Sequence, residues 1–91
     1  MPDVGDLTHY LDGQGRVTRW PSRRYRKSQR AVLDYLATKF ERDHHYTERQ
    51  VNELLLLHHT FNDPALLRRE LIVAQLLARE RDGSAYWRVT E

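Results

Sequence analysis

Two adjacent arginines, Arg68 and Arg69, are the residues whose type and spacing best suit a chemical task in this sequence. They lie on the outer face of a predicted third helix, together with Ile72 and Gln75. A guanidinium can bind a guanine edge or a phosphate, a glutamine amide can read adenine, and an apolar group can contact a thymine methyl. This spacing favours recognition of duplex DNA.

A structural role is the alternative for the same two side chains. Arg68 or Arg69 can pair with Glu48 or Asp63 nearby, or with Glu70 of another molecule, and so hold helices together. Surface ion pairs of this kind are common in folded proteins. The sequence leaves both roles open.

A basic arm, residues 16–30, holds seven cations and no acid, although the formal charge of the whole chain is only +2. Residues 1–15 hold three aspartates and no Lys or Arg, so the basicity is local. An arginine guanidinium can bind two phosphate oxygens at once, so the arm predicts a nucleic-acid backbone as partner. A solvated helix start, or pairing with the acidic first fifteen residues, is the alternative. The phosphate-binding candidates are Arg23, Arg24, Arg26, Lys27 and Arg30.

The end of the chain predicts a β-hairpin, because Asp82-Gly83 is a favoured two-residue turn between segments rich in Leu, Val, Tyr and Trp. A loop of two residues pairs residue 79 with 86 and 77 with 88. One hairpin face then shows Arg79, Arg81 and Arg88 around Tyr86, and these arginines are candidates for clamping a DNA backbone or reaching a minor groove. An ordinary solvated face is the alternative. The opposite face, residues 76, 78, 80, 85, 87 and 89, is mostly core-like.

The remaining pattern is mainly helical. Apolar spacing predicts a short N-terminal helix at Leu7–Leu11, a strand over 16–20 and a helix over about 24–40 that Ser22 caps. A capping box at 47–50 starts a second helix with His58 facing inward, and Asp63-Pro64 starts the third. A short strand is expected at 45–46, and both tryptophans are expected in the core.

Several function classes are disfavoured. The chain has no cysteine, which removes disulfides and thiolate zinc sites and favours a cytoplasmic location. Its longest apolar run, residues 54–57, is far below the roughly 20 residues that span a membrane, and no secretion signal is evident. Two adjacent histidine pairs lack zinc-ligand spacing, and the serines are explained by caps and turns. We therefore expect no enzyme, metal, cofactor, membrane or small-molecule substrate.

The sequence resembles a prokaryotic family, domain-of-unknown-function family 2087, whose members occur alone or appended to predicted transcriptional regulators. The resemblance covers nearly the whole chain. It rests on four segments: Leu11-Asp12-x-x-Gly15-Arg16, Tyr46-Thr47-Glu48 with Val51-Asn52, Leu67-Arg68-Arg69-Glu70-Leu71, and Asp82-Gly83-Ser84-x-Tyr86. Between the third helix and the hairpin, residues 73–76 lack the acid and glycine expected for the family, so no left-handed helix stop is signalled there.

The resemblance and the order of elements imply a winged helix-turn-helix-like domain of the α+β class, mainly α with a small sheet. The expected single domain, 1–91, comprises an acidic N-terminal segment (1–15), the basic arm leading into the first core helix (16–30), a helical core (31–75) and a hairpin wing (76–91). The expected function is DNA binding within a transcription regulator, with the third helix in the major groove. The alternative is an interaction or dimerisation domain whose apolar patch is Leu56, Leu57 and Ile72.

Overall fold

The computed structural model of the protein describes residues 6–90, so Asp3 and Glu91 lie outside the described residues. A 3-10 helix (Leu7–Tyr10) precedes α1 (Arg26–Ala37), β1 (His45–Tyr46), α2 (Glu48–Leu57), α3 (Pro64–Val73), β2 (Leu77–Arg79) and β3 (Tyr86–Arg88). The three strands form one antiparallel sheet in the order β1-β3-β2. The predicted α+β class is confirmed, and the order of elements is compatible with a winged-helix-like fold. Within residues 6–90, no helix has the length and apolar character needed to cross a membrane.

The strand expected over 16–20 does not form. Only Val17 pairs, through isolated bridges to Leu11 and His59. Asp12 explains the short pairing, because its side chain accepts hydrogen bonds from the backbone amides of Gln14 and Arg16 and folds this stretch into a tight turn. The side chain of Val17 is fully buried, and together with the buried Tyr10 it anchors the N-terminal segment to the core.

The first helix begins two residues later than expected and ends at Ala37 rather than near residue 40. Ser22 is not its cap: Tyr25 occupies the N-cap without a side-chain hydrogen bond, and the carbonyl of Ser22 accepts from the Tyr25 amide in a preceding turn. Phe40 is buried although it follows the helix. The apolar spacing therefore located the buried face correctly and overestimated the helix length.

Both predicted helix starts in the middle of the chain are confirmed. Thr47 Oγ1 accepts from the Gln50 amide at 3.1 Å, and Gln50 Oε1 accepts from the Thr47 amide at 2.9 Å, which completes the capping box of α2. Asp63 Oδ1 accepts from the Leu66 amide at the start of α3, and Pro64 occupies its first turn.

The third helix ends in a left-handed stop at a residue other than glycine. Gln75 has a φ of 62°, its amide donates to the Ile72 carbonyl, and the Leu76 amide donates to the Leu71 carbonyl. These two bonds are the Schellman pattern. Gln75 therefore lies just beyond the helix, so its expected place on the outer face of α3 is wrong, while its contact with a base stays a prediction.

We predict that Gln75→Gly raises the free energy of unfolding by about 0.5–1 kcal/mol, because glycine adopts positive φ without the steric cost that a Cβ atom adds. Ala74 is the matched control, since its φ of −76° is right-handed. Ala74→Gly should instead destabilise the protein. Urea unfolding of both variants tests this, and equal shifts of the two midpoints would contradict it.

The hairpin register is the predicted one, with Leu77 opposite Arg88 and Arg79 opposite Tyr86. The predicted two-residue loop is wrong. The Glu80 amide donates to the Ala85 carbonyl, the Gly83 amide donates to the Glu80 carbonyl, and Gly83 alone in this loop has positive φ. The loop is therefore residues 81–84, built on a turn with a left-handed glycine. The loops 82–83 and 81–84 are both centred between Asp82 and Gly83, which is why the register is unchanged.

The two hairpin faces are the reverse of the prediction. Leu77 and Tyr86 are buried, whereas Ala78 and Trp87 are half-buried and Val89 is exposed. The face that carries Tyr86 packs against the core, and burial of the tyrosine is possible because its hydroxyl donates a hydrogen bond to Glu48. The expectation that Trp87 is a core residue is therefore wrong. Trp20 is half-buried against the core.

Candidate nucleic-acid interface

A groove of about 260 Å³ lies between α3 and the hairpin, and it gathers arginines from both elements. The sequence separates these arginines by about ten positions, but the left-handed stop at Gln75 reverses the chain and returns β2 alongside α3. The groove is lined by Glu48, Ala65, Arg68, Arg69, Ile72, Val73, Arg79 and Tyr86.

Arg68 is held within the protein. Its Nη1 donates to Asn52 Oδ1, and its Nη2 lies 3.8 Å from Glu48 Oε1. The side chain is only 21% exposed. These contacts match the structural role that the sequence left open for this residue, and they fix α3 against α2.

The same glutamate also contacts the hairpin, since Tyr86 Oη donates to Glu48 Oε1 at 3.0 Å. Glu48, Asn52, Arg68 and Tyr86 therefore form one connected set, which we call the Glu48 cluster. Its members come from α2, α3 and β3, so the cluster sets how the hairpin stands relative to the third helix. Its buried phenol and guanidinium are both hydrogen-bonded, as such groups require.

Arg69 and Arg79 differ from Arg68 because both are exposed. Within residues 6–90, no carboxylate lies within ion-pair distance of either guanidinium. With three arginines and one glutamate in its lining, the groove carries a formal charge of +2. Its positive charge is thus available to an anion from outside the domain. Ile72 is half-buried and packs against the core, so it offers less apolar surface than the sequence suggested.

Some exposed cations of the basic arm also have contacts within the protein. Arg30 pairs with Asp34 at 3.0 Å, while the Arg24 guanidinium lies over the ring of Tyr25 at 5.7 Å. The arm contributes no residue to the groove lining. The exposed arm cations are Arg19, Arg23, Arg24, Arg26, Lys27 and Arg30.

The three hairpin arginines do not share one exposed face. Arg79 lines the groove and Arg81 is exposed in the hairpin loop. Arg88 is half-buried, its Nη1 donates to the Phe40 carbonyl at 3.3 Å, and it lines a different concavity. The expectation of three arginines around an exposed tyrosine is wrong because Tyr86 packs inward.

The adjacent histidines diverge, as expected for neighbouring side chains. His44 packs edge-on against Tyr46, and His45 stacks on Trp87. In the part of the chain that the structure describes, no three His, Cys, Asp or Glu residues converge as metal ligands. The inward histidine is His59 rather than His58, because Val17 pairs with residue 59 and draws it into the core.

Comparison with known families gives one match, which covers the three helices and the sheet. A family model described as an uncharacterized protein conserved in bacteria (DUF2087) matches residues 16–88. The chain belongs to this family. Neither the curated proteins nor the solved structures gave a match. The DUF2087 match contains every residue of the groove and of the Glu48 cluster.

Three of the four segments that resemble the DUF2087 family meet in this structure. The three later segments contribute Glu48 and Asn52, then Arg68, then Tyr86, which together are the Glu48 cluster. The first segment forms a separate cluster, in which Asp12 pairs with Arg16. The sequence offered the contact between Arg68 and Glu48 as one alternative. No pattern along it indicated the contact between Glu48 and Tyr86, which are separated by 38 positions.

His58 of the DUF2087 domain makes stability depend on pH. Burial lowers its pKa below the ordinary 6.5, and the positive charge of Lys39 lowers the pKa further. The unfolded chain therefore binds this proton more readily. We expect the free energy of unfolding to fall as pH decreases through 6.5 and to level off below the folded-state pKa. Urea unfolding across this pH range should show a steeper loss for the unsubstituted protein than for His58→Gln. Parallel curves would contradict the prediction.

Proposed function

We propose that this DUF2087 domain binds duplex DNA through the groove between α3 and the hairpin, as a non-enzymatic module of a transcription regulator. The observation that carries the proposal is the pair Arg69 and Arg79, exposed in one groove with no carboxylate partner among residues 6–90. A DNA backbone is the anion that such a surface fits, since arginine binds phosphate oxygens with charge-assisted hydrogen bonds.

In this proposal α3 enters the major groove and the hairpin lies on the backbone. Arg69 contacts a base edge or phosphate, while Arg79 and Arg81 contact phosphates. Arg68 acts as a positioning residue, because its guanidinium is engaged by Asn52 and Glu48. The exposed cations of the arm extend the contact to flanking phosphates.

Salt dependence tests the proposal. Fluorescence anisotropy with labelled duplex DNA should show binding that weakens by about 10³ or more between 50 and 200 mM salt if about six phosphates are neutralised. A short duplex of arbitrary sequence is sufficient, because phosphate contacts do not depend on base identity. Absence of binding at the lowest salt concentration would end the proposal.

Exposed leucines at the end of α2 support a second candidate function, self-association. Leu56 is 44% exposed and Leu57 is 68% exposed, in adjacent positions on the helix. A second copy of the chain covering them would bring two DNA-binding grooves together, as two-fold regulators require for paired half-sites.

Light scattering tests self-association directly. A dimer that dissociates in the Leu56→Glu or Leu57→Glu variant would support it. The same kind of exchange at an exposed apolar side chain outside α2, Val89→Glu, is the control and should leave the mass unchanged. A monomer at all accessible concentrations would exclude a stable dimer.

A further inference from the structure

A second concavity, of about 220 Å³, lies beside β1 and the end of β3. It shares no lining residue with the DNA-binding groove. Its lining combines an aromatic pair, one cation, one carboxylate and two smaller side chains: Asp43, His45, Trp87, Arg88, Val89 and Thr90.

An aromatic wall forms one side of this concavity. His45 and Trp87 are cross-strand partners, with ring centroids 5.2 Å apart and planes inclined by 28°. His45 is exposed and Trp87 is half-buried, on the sheet face opposite the buried Tyr86. Accessible stacked heteroaromatic rings favour a flat ring as ligand, because every nucleobase has a face that can stack on them.

Two charged side chains line the concavity beside the aromatic wall. The Arg88 guanidinium is anchored by its bond to the Phe40 carbonyl, which leaves its other N–H groups for a further acceptor. Asp43 is exposed and precedes β1 by two positions. Among the residues that the structure describes, neither charge has an ion-pair partner. The site thus offers donors for an anion and an acceptor for N–H groups.

We propose that this concavity binds a nucleobase that carries a phosphate, with the ring on the His45–Trp87 stack, the phosphate at Arg88 and a ring amino group donating to Asp43. The volume favours a single base, since it is below the roughly 300–1,000 Å³ of sites that enclose larger ligands. The base belongs either to a free nucleotide or to an unpaired stretch of a strand, and both present the same chemistry. The inference does not depend on duplex binding by the groove.

Tryptophan fluorescence tests the site. The Trp20→Phe variant leaves Trp87 as the only tryptophan of the chain. Its emission should be quenched saturably by adenosine 5′-monophosphate or by a short single-stranded oligodeoxyadenylate. Saturation by the mononucleotide identifies a nucleotide site, and saturation by the oligonucleotide alone identifies a single-strand site. No saturable quenching by either ligand up to millimolar concentration would overturn the proposal.

Four substitutions in that background, one of them a control, test where the ligand binds. Arg88→Met keeps the aliphatic stem and should weaken binding by tenfold or more. The affinity of Arg88→Lys should lie between those of Arg88→Met and the Trp20→Phe parent. Asp43→Asn should weaken binding several-fold without disturbing the backbone, because Asn tolerates the positive φ of 58° at this position. Arg69→Met should bind the ligand unchanged even where it loses duplex DNA. Equal affinity in the parent and in both folded Arg88 variants would overturn the proposal.

Discussion

Replacing both Arg69 and Arg79 with glutamate should lower the affinity for duplex DNA by about 100-fold or more at low salt. The two side chains are the exposed cations of the groove, and their reversal turns its formal charge from +2 to −2. The phosphate backbone is then repelled where it was attracted. Anisotropy titrations at several salt concentrations should also show a shallower dependence of affinity on salt, since fewer phosphates are neutralised.

A matched control changes the same amount of charge elsewhere. Lys39→Glu with Arg42→Glu alters the turn after α1, whose residues line neither the groove nor the Glu48 cluster. This variant should lose only the part of the affinity that depends on net charge. If the two double variants weaken binding equally, attraction is diffuse and the groove is not the contact surface.

His59→Ala should produce the largest loss of stability among the polar substitutions considered, about 2–4 kcal/mol. The side chain is 4% exposed, Nδ1 lies 2.6 Å from the Leu55 carbonyl, and Nε2 accepts from the Asp63 amide at 2.9 Å. A carbonyl can only accept and an amide can only donate, so the ring is neutral with its proton on Nδ1. Alanine leaves the Asp63 amide without this partner and opens a cavity beside Phe61.

Urea unfolding provides the measurement, with His58→Ala as the neighbouring control. His58 is half-buried, so His58→Ala should lower the free energy of unfolding much less than His59→Ala does. His59→Gln should retain part of the stability, because an amide side chain also offers one donor and one acceptor. Equal losses at the two positions would show that the bond between α2 and the start of α3 is unimportant.

The elements that the sequence predicted well are those specified by local chemistry. The capping box at Thr47, the Asp63 cap and the hairpin register each depend on residues within a few positions of one another. The stop at Gln75 was not predictable in the same way. Tertiary packing of β2 against α3 holds a glutamine in a conformation that its own preferences disfavour.

The candidate site was predicted in composition but not in arrangement. The sequence indicated Arg68 and Arg69 as a pair, yet the structure separates their roles, since only Arg68 has partners in Asn52 and Glu48. Hairpin faces were ranked by their apolar content, and this ranking failed because a tyrosine with a satisfied hydroxyl is as suitable for burial as a leucine. His59 was missed because its burial depends on a bridge to Val17, forty-two positions away.

The bridge at Val17 also bears on where the folding unit starts. The family match begins at residue 16, but the Thr18 amide donates to the carbonyl of Tyr10, whose side chain is buried. The Val17 amide and carbonyl in turn bond to the segment that joins α2 to α3. A polypeptide trimmed to the matched residues would lose the buried side chain of Tyr10 and the carbonyl that accepts from the Thr18 amide. Fusion partners and affinity tags should therefore be attached ahead of the 3-10 helix, and a recombinant fragment cut at the homology boundary should be less soluble and more readily digested by proteases.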